Sequence, residues 1–116
     1  LFDIECDIEM TPATAVTFTI RGEIIRYDRS EGKLRAGARE APLRLSGPSL
    51  RLRLLVDRAS IEVFADWGQV AITHSCLPKP ENQALALEVE GGAARVRRIR
   101  VNSLRSAWRT EAGTTP

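Results

Sequence analysis

Residues 50–73 read LRLRLLVDRASIEVFADWGQVAIT, and this stretch constrains the fold more than any other. Leu50, Leu52, Leu54 and Val56 alternate with Arg51, Arg53 and Leu55, the period-two pattern of a strand with one face in a core. Asp57-Arg58-Ala59 interrupts it. Ile61 and Val63 then resume on one face with Glu62 and Phe64 on the other, and Asp66-Trp67-Gly68 turns the chain into a third run through Val70 and Ile72. Three strands joined by two tight turns make a β-meander.

The alternation recurs on both sides. Phe2, Ile4, Cys6, Ile8 and Met10 alternate with Asp3, Glu5, Asp7 and Glu9, giving a long strand with one dry and one acidic face. Val16, Phe18 and Ile20 form a second strand, and Gly22 turns the chain into a third over residues 24–27. Asp28-Arg29-Ser30-Glu31-Gly32 is turn chemistry, because Asp and Ser bond nearby backbone and Gly supplies positive φ. Leu34 begins a short strand. Residues 35–48 are broken by Gly and Pro with only Leu43 and Leu45 in alternation, which predicts an edge strand and loops.

Pro78 and Pro80 make residues 77–82 a loop. Leu85, Leu87 and Val89 alternate again, and Gly91-Gly92 predicts a hairpin turn into the last strand. There Val96 is out of phase with Ile99 and Val101, which predicts a β-bulge near Arg97-Arg98. The acidic first strand and the Arg-rich last strand are expected to pair. No segment has ten residues of helical periodicity. About nine or ten short strands therefore predict an all-β chain, an antiparallel two-sheet β-sandwich of jelly-roll or lectin-like type. Residues 1–108 read as one module and 109–116 as a polar tail.

At 116 residues a single core is enough, since folding removes roughly two-thirds of the unfolded surface from water. No apolar run spans a bilayer and no signal-like segment opens the chain, so a soluble domain without a membrane partner is expected, any export signal lying outside it. The net charge is only +2, with basic and acidic residues interleaved. Arg95, Arg97, Arg98 and Arg100 accordingly read as a solvated strand face and not as a nucleic-acid stripe.

Catalysis needs a constellation. Asp57 and Glu62 are the one candidate carboxylate pair, but a strand-end Asp caps turns and Arg58 stands beside it, so the turn is the stronger reading. His74 is the only histidine and reads as a satisfied half-buried side chain without triad partners. Cys6 is in phase with the core. Cys76 ends a strand, and a disulfide between the two is left open. Without a C-x-x-C or paired His, no metal site or cofactor is expected. Trp67 at a hairpin tip either folds back over its own hairpin, anchors an interface or stacks on a sugar ring.

The string Val56-Asp57-Arg58-Ala59-Ser60-Ile61-Glu62-Val63-Phe64, with Gly68 in the next turn, resembles the signature of the C-terminal β-sandwich module of glycoside hydrolase family 32, the invertases, levanases and inulinases. Tyr27-Asp28 before a Gly-containing turn and the closing Ser103-Leu104-Arg105-Ser106-Ala107-Trp108 extend the resemblance. It implies that Asp57, Arg58, Ser60, Glu62, Phe64 and Trp108 are structural and that no catalytic residue is present. The family's chemistry belongs to an N-terminal five-bladed β-propeller, with an acid in an Arg-Asp-Pro string and another in a Glu-Cys string. This chain has no Arg-Asp-Pro, and its Glu5-Cys6 falls in an alternating strand, an accidental match. A propeller needs about 40 to 50 residues per blade, which excludes one here.

The resemblance thus implies a non-catalytic accessory module whose partner is that propeller, with homo-oligomers in some enzymes. The alternative is a carbohydrate-binding module that takes fructan or fructo-oligosaccharide on Trp67. Such enzymes are mainly secreted or periplasmic, although cytoplasmic sucrose hydrolases occur.

Overall fold

The structure, a computed structural model, describes residues 2–76 and 85–103. It contains β1 (Phe2–Glu9), β2 (Ala15–Ile20), β3 (Glu23–Asp28), β4 (Lys33–Ala36), β5 (Arg39–Pro42), β6 (Ser49–Val56), β7 (Ser60–Ala65), β8 (Val70–Ser75), β9 (Leu85–Glu90) and β10 (Arg95–Ser103). Two antiparallel five-stranded sheets result, in the orders β10-β1-β6-β7-β8 and β5-β4-β3-β2-β9. This is the two-sheet sandwich that the alternation predicts. The loop expected at residues 77–82, together with Leu104, Trp108 and the polar tail, lies outside the described residues.

Period-two side chains meet between the sheets. Ile4, Cys6 and Ile8 of β1 and Leu50, Leu52, Leu54 and Val56 of β6 are buried from one side, and Val16, Phe18, Ile20, Ile25 and Tyr27 from the other. Burying each large side chain contributes about 1.5–3 kcal/mol. The Tyr27 hydroxyl also donates a hydrogen bond to the Leu43 carbonyl at 3.0 Å, so this buried ring leaves no polar atom unpaired. Phe18→Ala would empty the middle of this layer, at a cost of about 3–5 kcal/mol.

The 50–73 meander is β6, β7 and β8, with Leu54 opposite Val63 and Val63 opposite Ile72. The first and last strands pair as expected, from Phe2 opposite Ser103 to Glu9 opposite Arg95, and Arg97 is the extra residue between Arg98 opposite Asp7 and Val96 opposite Ile8. The bulge returns Val96 to the core phase of Ile8. Acid and base meet across this seam, with Arg100 3.7 Å from Glu5 and Arg97 3.5 Å from Glu9. The edge strand expected in residues 35–48 is β5, which precedes the Leu43 and Leu45 alternation. Leu43 instead plugs the core from a loop, its backbone N–H bonded to the Gly32 carbonyl.

One expectation fails. Gly91-Gly92 is not a hairpin turn, because β9 pairs with β2 in one sheet and β10 with β1 in the other. The two glycines carry the chain between sheets over the corner formed by residues 12–14. Both have positive φ (77° and 132°), and a Cβ on Gly91 would lie 2.1 Å from Thr14 Oγ1. Conformational freedom and close backbone approach, the two uses of glycine, coincide here.

A groove on the outer face of the first sheet

On the solvent side of the first sheet, the register aligns side chains in rows. Arg98 of β10, Asp7 of β1 and Arg51 of β6 form one row; Arg100, Glu5, Arg53 and Phe64 form the next. All of these except Arg100, together with Leu55 and Trp67, line a groove of about 620 Å³. Arg53 holds the Asp3 carboxylate with two hydrogen bonds, at 3.0 and 2.7 Å, and this pairing keeps the Asp3 carboxyl below its ordinary pKa against the opposing effect of burial. Arg51 lies 3.6 Å from one Asp7 oxygen, while Asp7 Oδ1 is buried with no hydrogen-bond partner among the described residues.

Trp67 stands at the groove's end, 80% exposed. Asp66, Trp67 and Gly68 all have positive φ (52°, 60° and 82°), a conformation that costs a bulky residue such as Trp about 1 kcal/mol or more. The turn thus holds the indole away from its own hairpin core. The Arg51 guanidinium covers one face of the ring at 4.4 Å from its centroid, a cation–π contact. Apolar ring faces beside paired acids and arginines offer stacking together with both hydrogen-bond donors and acceptors, the chemistry that a neutral polyol needs.

The other singled-out residues lie elsewhere. Asp57 closes the turn after β6: its N–H donates to the Ser60 carbonyl at 2.9 Å, and its Oδ1 accepts from the Arg58 N–H at 2.7 Å. Ser60 begins β7, opposite Ser75. Glu62 is exposed at mid-strand between Leu55 and Thr73, so the two acids of the candidate pair sit on different elements. Phe64 is half-buried in the groove. Cys6 and Cys76 are both free thiols. Burial, helped by the Asp7 charge, pushes the Cys6 thiol up to about 12. Burial and the charge of Glu23 raise Cys76, with Arg21 opposing.

His74, half-buried, places Nε2 2.6 Å from Glu23 Oε1, across the two sheets. Sequence reasoning did not foresee Glu23, which lies 51 positions away with no pattern linking it to His74. Arg51 was also missed as a partner of Trp67. A signal existed for it, since the β6–β7 register that sets Leu52 opposite Ala65 brings the following turn to Arg51.

The family described as Glycosyl hydrolases family 32 C terminal matches residues 2–103. Among curated relatives, a levanase of Bacillus sp. (strain L7) is 28% identical across 99% of this chain, and a fructan beta-fructosidase of Streptococcus mutans is 31% identical across 88%. The chain spans only 15% and 8% of those two proteins. Among solved structures, exo-inulinase from Aspergillus awamori superposes with a TM-score of 0.71 at 18% identity, covering 86% of this chain and 24% of that one. Fructofuranosidase from Schwanniomyces occidentalis gives 0.60 at 14% identity, covering 86% and 28%. At those identities the superpositions speak for the fold alone. The family match over nearly the whole described sandwich says more: the chain belongs to glycosyl hydrolase family 32, as its C-terminal module.

Proposed function

We propose that this chain is a non-catalytic accessory module that packs against, and stabilises, the bond-breaking part of an enzyme hydrolysing fructan or sucrose. The observation that carries this is an apolar ribbon along one side of the sandwich. Val96, Ile99 and Val101 of β10 are in register with the buried Ile8, Cys6 and Ile4, and Leu85 and Val89 of β9 with the buried Ile20 and Val16. They have the core phase, yet they are 42%, 49%, 48%, 47% and 38% exposed. Contiguous apolar surface of this kind belongs under a neighbour. The occupant we assign is the remainder of a family 32 enzyme, the five-bladed propeller that the resemblance implies, because the relatives are several times longer than this chain. The names levanase, fructan beta-fructosidase and exo-inulinase support a fructan as the parent enzyme's substrate.

The test mixes the chain with the separately produced N-terminal portion of its parent enzyme. A 1:1 complex and a higher Tm for that portion are expected, both lost with Ile99→Asp while the module itself stays folded. No complex, or a purified module that releases fructose from levan, inulin or sucrose at an enzyme-like rate, rejects the reading.

A second reading is favoured by the exposed Trp67 at the end of the groove: a fructan chain stacks on the indole face that Arg51 leaves free. Titration with fructo-oligosaccharides should then shift resonances of Trp67 and Phe64, and Trp67→Ala should abolish the shifts. A silent wild type removes this reading and leaves the first untouched.

A further inference from the structure

We infer that Glu23, His74 and Cys76 form a binding site for a zinc-type divalent cation, which clamps one sheet to the other. The carboxylate of Glu23, the imidazole of His74 and the thiol of Cys76 place their donor atoms within 4.8 Å of one another, all half-buried. His74 and Cys76, two positions apart, share one side of the strand β8 and its extension, while Glu23 begins β3 in the opposite sheet.

The arrangement is held from several directions. The Cys76 N–H donates to the Ala59 carbonyl at 2.8 Å, so the backbone stays anchored one residue beyond β8. The His74 ring lies on Gly37, where a Cβ would come within 2.2 Å of Cε1; only a glycine lets the imidazole sit there. Gly37 is itself fixed by its N–H to the Ile24 carbonyl at 3.0 Å, next to Glu23. An ordinary His–Glu hydrogen bond, at 2.6 Å, accounts for two of these side chains, and Cys76, packed at the rim of the core, brings its thiol to the same place.

The donor set selects the ion. Tetrahedral zinc, with bonds of about 2.0–2.1 Å to N and O and about 2.3 Å to S, keeps its donors about 3.3–3.6 Å apart; the carboxylate and imidazole stand closer than this, at 2.6 Å, and all three donors fall within 4.8 Å of one another. Side-chain adjustments of about 1 Å complete it. Thiolate and imidazole favour zinc over magnesium or calcium, which take all-oxygen shells. The Cys76 thiol gives up its proton to solvent on binding, so one carboxylate and one thiolate balance the ion's two charges, and a water takes the fourth position.

Cobalt(II), titrated into the full 116-residue chain under a non-thiol reductant, tests this. Expected are 1:1 binding, a thiolate-to-cobalt charge-transfer band in the near ultraviolet and displacement by zinc, with millimolar magnesium inert. Zinc at a hundredfold excess over Kd should raise Tm by about 10 °C. Cys76→Ser, with Cys6 kept, should abolish the band, and Glu23→Gln and His74→Gln should each weaken binding at least tenfold while circular dichroism stays that of the folded sandwich. Absence of the band, a band that survives Cys76→Ser, or unchanged affinity in Glu23→Gln and His74→Gln overturns the site. The site lies away from the β9 and β10 ribbon, so its failure leaves the docking reading standing.

Discussion

Arg53 of β6 grips Asp3 of β1 in a fork, Nε to Oδ1 at 3.0 Å and Nη2 to Oδ2 at 2.7 Å, and so ties the first strand to the meander. Because Asp3 is held below its ordinary pKa when folded, the unfolded chain takes up that proton more readily. The stabilisation is complete above the unfolded value of about 3.9 and is lost as pH falls through the folded one. Asp3→Asn should cost about 1 kcal/mol at pH 7, kept small by the half-exposed Arg53 side chain. In urea unfolding, the gap between wild type and variant should shrink from pH 7 to below pH 3. A gap independent of pH counts against this coupling.

Tyr27→Phe removes the hydrogen bond that the buried Tyr27 hydroxyl donates and leaves the Leu43 carbonyl without that donor. The expected cost is about 1–2 kcal/mol, read from the urea midpoint at unchanged m-value. A loss below roughly 0.3 kcal/mol, the resolution of such data, would mean the carbonyl finds another donor.

Gly91→Ala and Gly68→Ala form a matched pair. Both positions have positive φ (77° and 82°), but a Cβ at Gly68 meets nothing within 4 Å whereas one at Gly91 collides with Thr14. Gly68→Ala should lose about 1 kcal/mol from backbone strain, and Gly91→Ala about 2 kcal/mol or more. Equal losses would show that the inter-sheet crossing relaxes freely.

The two thiols should react in sequence. Cys6, buried and pushed up to about 12, should resist a disulfide reagent until the domain unfolds, while the half-buried Cys76 reacts in the native state. Ellman's reagent should count one fast thiol, which Cys76→Ser removes. Two fast thiols would mean that β1 opens readily.

Local chemistry made most of the fold legible. Each of Leu50, Leu52 and Leu54 declares its face through its neighbours, and the misphased Val96 announced the bulge at Arg97, because period-two burial is written in consecutive residues. The error at Gly91-Gly92 has a physical origin too. A pair of glycines encodes permission for positive φ, which a hairpin and a crossing between sheets both require, and only the partner strands β1 and β2 decide between them. The groove was half visible, since Trp67 at a turn tip was a signal whereas its rows of Asp7, Arg51 and Arg98 depend on the order in which strands pair. The contact of Glu23 with His74 depends on how two sheets stack, and no spacing in the chain expresses that.

β1 lies between β6 and β10, so Phe2 is hydrogen-bond neighbour to a strand that ends at Ser103. During synthesis β1 stays half-paired until β10, which ends at Ser103, has emerged from the ribosome. Assembly is therefore governed by loop closure across nearly the whole sandwich, the slow regime for β proteins. A nascent chain stopped short of residue 95 would present β1 as a bare, alternating edge open to pairing with other chains.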